Sequence, residues 1–219
     1  MKLILASQGF MTSEIAKAVE EMVGKPLEEI NVAIINEAYV ALAGEKDKRW
    51  LIRELSQLES YIGGNIDFIN LRACTKQEVK QRLEIADMMY IVGGKQLVLP
   101  RLFKETGFNE IVKEFANKKV VMGTSAGAIV LGRQIEATKY WKEQYGITKE
   151  EIGEKTLGLT NFNIIPHYLR GKRKKWDREF YEKVLQENPF TVYAVKDEQA
   201  ILWEDNHITF VGGMPEIFD

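Results

Sequence analysis

Apolar residues along this chain gather in short runs, and longer stretches of mixed polarity separate them. The runs at 2–6, 31–35, 88–92 and 119–122 are nearly continuous in apolar residues, as expected of strands buried on both faces, and 66–71, interrupted by Asp67 and Asn70, reads as a further strand. Between them the apolar positions recur at helical spacing. Thr12 or Ser13 can cap a helix running to about Val23, and a charged amphipathic helix is predicted over 46–61. Thr75-Lys76-Gln77-Glu78 is a capping box that opens a helix ending near Ala86-Asp87. Helical segments at 97–104 and 109–117 lead into the run at 119–122. This alternation predicts an α/β protein with a mostly parallel sheet covered by helices on both faces, a three-layer α/β/α sandwich.

Beyond residue 132 the regularity loosens. Residues 136–155 are polar and aromatic, with Tyr140, Trp141 and Tyr145, and read as an irregular excursion with some helix. A strand is predicted at 161–165, ending at Pro166-His167, then a basic segment and a helix over 176–186. The period then changes. Runs at 191–195, 200–203 and 208–211, the last two joined by Glu204-Asp205-Asn206-His207, predict that the chain ends in a β-hairpin. Neither an internal repeat nor a linker is evident, so residues 1–219 read as one domain.

Composition narrows the class. An apolar content of 45% and a charged content of 28% are ordinary globular values, and a net charge of −2 gives no electrostatic case for nucleic acid. The apolar start of the chain stops at Ser7-Gln8-Gly9, too short for a signal segment and better read as a strand. The single Cys74 has no partner for an internal disulfide, and no Cys/His spacing suggests zinc. These features predict a soluble cytoplasmic protein without metal or cofactor, free of membrane association, acting as a monomer or homodimer.

The stretch richest in chemistry is Gly123-Thr124-Ser125-Ala126-Gly127, set between an apolar strand and a run of helix formers. This is G-x-S-x-G in the strand–turn–helix context of a nucleophile elbow, where small neighbours relieve a sharp turn. Taken alone, the pattern also fits a glycine-rich turn whose Ser caps a helix. A serine hydroxyl needs a base, and the chain has two histidines. His207 falls in the predicted hairpin turn, as a solvated residue would. His167 follows a predicted strand, as Ser125 does, which places both on the rim where strand C-termini collect ligands. Gly93-Gly94 closes another strand on that rim, and the N–H groups of Gly94 and Ala126 would make a two-donor oxyanion hole. A plain tight turn at the glycine pair is the alternative.

The ordered set Ile91-Val92-Gly93-Gly94-Lys95-Gln96, Gly123-Thr124-Ser125-Ala126-Gly127-Ala128 and Pro166-His167-Tyr168 resembles peptidase family S51, which includes peptidase E (aspartyl dipeptidase) and cyanophycinase. The resemblance covers most of the chain. It implies a flavodoxin-like fold related to class I glutamine amidotransferases, with Ser in place of their Cys. It also implies Ser125 as nucleophile, His167 as general base, Gly94 and Ala126 as oxyanion donors, and hydrolysis after an aspartyl residue. In the family the third acid comes from between the nucleophile helix and the His. That points to Glu143, with Glu136 as runner-up among Glu150, Glu151 and Glu154.

An aspartyl carboxylate calls for a cation, and the basic run after His167 offers Arg170 and Arg173, whose guanidinium forks suit a carboxylate. Gln96 is a further expected substrate contact. Members like peptidase E carry Asn after the glycines, so Lys95-Gln96 leans toward the cyanophycinase-like side; Asp197-Glu198 also resembles an acidic pair of that subgroup, near its site. The expected activity is a serine exopeptidase, dipeptidase-like, cleaving a small peptide or isopeptide through an acyl-enzyme. The rivals are a cyanophycinase-like β-aspartyl-arginine hydrolase, another acyl hydrolase, and a non-catalytic amidotransferase-like binding module.

Overall fold

Successive residues of the central strands point to opposite faces of the sheet, and each face is apolar. The structure, a computed structural model, describes every residue except 41–46 and 172–174. Its strands are β1 (Lys2–Ala6), β2 (Val32–Ile35), β3 (Ile66–Phe68), β4 (Met88–Ile91), β5 (Val120–Thr124), β6 (Asn163–Pro166), β7 (Val192–Val195), β8 (Ala200–Glu204), β9 (His207–Val211) and β10 (Glu216–Phe218). The α-helices are α1 (Ser13–Val23), α2 (Glu37–Val40), α3 (Arg49–Tyr61), α4 (Lys76–Ile85), α5 (Val98–Thr106), α6 (Phe108–Ala116), α7 (Ala126–Leu131), α8 (Thr138–Tyr145) and α9 (Arg178–Leu185).

Seven strands form the main sheet in the order β3-β2-β4-β5-β1-β8-β9. The five from β3 to β1 are parallel, and β8 and β9 extend the sheet antiparallel. Leu3, Leu5, Met89, Ile91 and Val121 face one layer, built from α4, α5, α6 and α7. Ile4, Ala6, Met88, Tyr90 and Met122 face the other, built from α1 and α3. The period of two along each strand therefore fills two cores, and the expected α/β/α sandwich is what forms.

Local chemistry closes these elements as the sequence suggests. The Thr12 side chain accepts from Ile15 N at the start of α1, and Gly24 ends that helix in the left-handed region. Thr75 and Glu78 make the reciprocal capping box of α4. Asp205 and Asn206, both at positive φ, turn β8 back onto β9, the conformation that two-residue hairpin loops require.

Two features depart from the sequence reading. The chain does not end in the hairpin: β10 follows it and pairs antiparallel with β7. In addition β6, β7 and β10 form a separate three-stranded sheet. That sheet packs with α8 and α9 around Tyr140, Trp141, Tyr181 and Val184, a third core beside the main sandwich. Strand pairing between distant segments leaves no local signature, and isolated short apolar runs look alike whichever sheet they join.

Candidate active site

β5 ends at Thr124, and the chain turns into α7 through Ser125 at φ 50°, ψ −113°. This is a costly conformation for a residue with a Cβ, and its surroundings hold it in place. Ser125 N–H donates to Ala6 O at 3.0 Å, pinning the turn to the end of β1. A Cβ on Gly127 would lie 2.0 Å from the carbonyl oxygen of Ile91, so only glycine lets α7 approach β4 this closely. The Gly93 backbone is equally tight: a Cβ there would stand 2.8 Å from Ser125 Cβ.

His167 sits one residue past β6 at φ 61°, its N–H donating to Ser7 Oγ at 2.8 Å. Its Nε2 is 3.0 Å from Ser125 Oγ, and its Nδ1 is 2.6 Å from Asp197 Oδ1. An ionised carboxylate only accepts, so this pairing places the ring proton on Nδ1 and leaves Nε2 to accept from the Ser125 hydroxyl. Ser7, fully buried just past β1, also donates its hydroxyl to Asp197 Oδ1 at 2.9 Å. Arg170 Nη1 lies 2.6 Å from Asp197 Oδ2 and donates to Gln8 Oε1 at 2.7 Å. Burial would raise the Asp197 pKa, but the hydrogen bond and charge of His167, the Ser7 hydroxyl and Arg170 outweigh it and hold the carboxyl below its ordinary value.

The acid against His167 is therefore Asp197, and neither Glu143 nor Glu136 reaches it. α8 turns Tyr140 and Trp141 into the third core, which leaves Glu143 exposed on the other side of the helix. Glu136 pairs with Lys149 at 3.2 Å, and that contact lowers its pKa. Asp197 arrives through strand pairing. β6 and β7 are parallel with Pro166 opposite Val195, so the residues just beyond each strand, His167 and Asp197, emerge side by side.

Ser125, His167, Gly93, Gly94 and Arg170 line one cavity of about 230 Å³, together with Ser7, Gln8, Trp50 and Glu54. The predicted residues Ser125, His167, Gly94 and Arg170 are thus brought together, and Ala126 is buried immediately after Ser125. Among the described residues Gln96 does not line this cavity; its Oε1 accepts from Tyr145 Oη at 2.7 Å. The expectation for Arg173 lies outside the described residues. No group of three or more His, Cys, Asp or Glu side chains able to hold a metal ion occurs among the described residues.

The sequence reading missed Ser7, Gln8, Trp50 and Glu54. Ser7-Gln8 had a usable signal, since both follow a buried strand on the same rim as Ser125. Glu54 had another: it falls between Leu51 and Leu58 on the apolar face of α3, where a carboxylate is out of place.

A mostly parallel α/β sandwich with a Ser–His–Asp chain of hydrogen bonds at its strand ends defines a class that the comparisons narrow to a family. The profile of peptidase family S51 matches residues 3–211. The chain belongs to peptidase family S51, and with it to the peptidases. An uncharacterised peptidase of Listeria monocytogenes is 25% identical over 150 residues, 66% of this chain and 69% of that protein. A crystal structure of a L. monocytogenes protein provisionally assigned to peptidase E superposes with a TM-score of 0.73 at 21% identity, covering 95% of this chain and 96% of the other. A peptidase from an acI-B1 actinobacterium gives a TM-score of 0.68 at 17% identity, covering 99% and 93%. Both likenesses are of fold. Among the described residues no helix is long and apolar enough to cross a membrane.

Proposed function

We propose that this chain is a serine peptidase that cleaves short peptides after an aspartyl residue through an acyl-enzyme, with Ser125, His167 and Asp197 as its triad. The observation that carries the reading is the continuous contact from Ser125 Oγ to His167 Nε2 at 3.0 Å and from His167 Nδ1 to Asp197 at 2.6 Å. His167 takes the Ser125 proton as Oγ attacks the scissile carbonyl carbon. The N–H groups of Gly94 and Ala126 receive the oxyanion of the tetrahedral intermediate. His167 then protonates the leaving amine, and water releases the acyl group by the same steps in reverse. Asp197 keeps the imidazole in the required tautomer and balances its positive charge. The proposal calls on no metal or cofactor, and with a lone free Cys74 it fits the reducing cytoplasm.

Arg170 supports an aspartyl substrate, because it brings a half-exposed guanidinium to the wall of the cavity that holds Ser125. The cavity volume, below the roughly 300–1,000 Å³ of drug-sized ligand pockets, favours a short substrate. One observation favours a second reading, an acyl hydrolase with another preference: Arg170 Nη1 is already engaged by Asp197 and Gln8. The test is turnover of Asp-X dipeptides, a β-aspartyl-arginine isopeptide and p-nitrophenyl acetate by the parent and by Ser125→Ala. Selective cleavage of Asp-X, abolished in Ser125→Ala, is the expected result. Equal Asp-X cleavage by both proteins would overturn the proposal, and turnover confined to another substrate would select the second reading.

A further inference from the structure

α3 packs on the sheet through Leu51 and Leu58, and Glu54 shares that face with only 4% of its surface exposed. Burying a carboxyl costs several kcal/mol unless its oxygens are well partnered, and a leucine or methionine would serve the core better. Glu54 makes a specific set of contacts. Its Oε1 accepts from Thr124 Oγ1 at 2.6 Å and from Tyr90 Oη at 2.9 Å. Thr124 Oγ1 in turn accepts from Gly93 N–H at 3.1 Å. A hydroxyl has one proton, so the acceptor at Glu54 decides where Thr124 points it, and the oxygen's lone pairs are left for Gly93.

This relay joins the two loops whose geometry matters most. Gly93-Gly94 comes after β4, and Thr124, the last residue of β5, leads through Ser125 to Ala126 at the start of α7. The first would supply one oxyanion donor, at Gly94; the second supplies the nucleophile and the other donor, at Ala126. The loops already meet at close contact beside Ser125, so a small shift of one against the other would misalign both donors.

We propose that Glu54 is a positioning residue for the oxyanion hole: through Thr124 it fixes the Gly93-Gly94 loop against the Ser125 turn, and so sets the spacing between the Gly94 and Ala126 N–H groups. The inference rests on the serine-peptidase reading above. Tyr90 ties the same carboxyl oxygen to β4, so α3, β4 and β5 meet at one acceptor. The arrangement exchanges core stability for register at the site, as functional positions commonly do.

The test is the phosphonylation of Ser125 by an alkyl fluorophosphonate, which needs no knowledge of the natural substrate. The limiting rate and the half-saturation concentration are read separately for the parent, Thr124→Val, Glu54→Met and Glu54→Gln, with thermal melts to confirm folding. Loss of the relay should lower the limiting rate about tenfold or more in Thr124→Val and Glu54→Met, with half-saturation little changed. Glu54→Gln keeps an acceptor at Oε1 and should stay within about threefold of the parent. A parental rate in Thr124→Val would overturn the proposal, as would a loss in Glu54→Gln equal to that in Glu54→Met. If Glu54→Met fails to fold, Thr124→Val and Glu54→Gln decide. Labelling of the parent that persists in Ser125→Ala, or no labelling of the parent, would overturn the serine-peptidase reading and this inference with it.

Discussion

Asp197 Oδ1 stands 2.6 Å from His167 Nδ1 although thirty residues separate them in the chain. Parallel pairing of β6 with β7 makes them neighbours, each just beyond the end of its strand. The pairing predicts that Asp197→Asn lowers kcat on any accepted peptide by about a hundredfold to ten-thousandfold, through loss of the tautomer that leaves Nε2 free. Glu143→Ala, on the exposed side of α8, should change kcat less than twofold. Steady-state kinetics of the two variants beside the parent would check this, and the reverse ranking would refute the assignment of the acid.

Arg170 is placed to act twice, on the Asp197 carboxylate and on the cavity beside Ser125. Arg170→Ala should therefore raise KM for Asp-X peptides at least tenfold and also lower kcat several-fold, because Asp197 loses a neighbouring cation. With p-nitrophenyl acetate, which has no carboxylate to recognise, only the kcat effect should remain. An unchanged KM for Asp-X would remove Arg170 from substrate recognition.

Burial raises the pKa of Glu54 above 4.5, against the lowering effect of its hydrogen bonds with Thr124 and Tyr90. The unfolded chain thus releases this proton at lower pH than the folded protein. The folded state binds more protons between the two pKa values, so stability is lost as pH rises from about 4.5 through the folded value. Glu54→Gln has no such proton to lose. Its melting temperature relative to the parent should climb as pH rises from 4.5 toward neutrality, and a difference that stays flat with pH would contradict the buried carboxyl.

Gly127→Ala tests the elbow's packing. The added Cβ would fall 2.0 Å from a main-chain oxygen of β4, which has little room to yield. Overpacking of this kind costs about 1–3 kcal/mol or more, so a drop in melting temperature of several degrees is expected, together with loss of activity. An unaltered melt would mean that α7 can move away from β4 freely.

Much of the fold was legible from residues alone, for local reasons. Near-continuous apolar strands declared a sheet buried on both faces, and Thr12, Thr75-Glu78 and Asp205-Asn206 marked ends and turns by chemistry that acts within a few residues. The sharp turn at Ser125 was legible in the same way, because a strand–turn–helix passage whose strain demands small neighbours is one short stretch. His167 followed from placing two strand ends on one rim.

What the sequence by itself determined is thus whatever short-range sterics, capping and hydrophobic period control: most elements of the main sandwich, their order, and the places of Ser125 and His167 after strand ends. Only the tertiary structure decided which acid stands behind His167, that Glu54 meets Thr124 and Tyr90 beneath the Ser125 turn, and that β6, β7 and β10 form a sheet of their own. Those choices depend on register between segments tens of residues apart. Such pairing is settled by the summed fit of whole surfaces, and no single residue carries its mark.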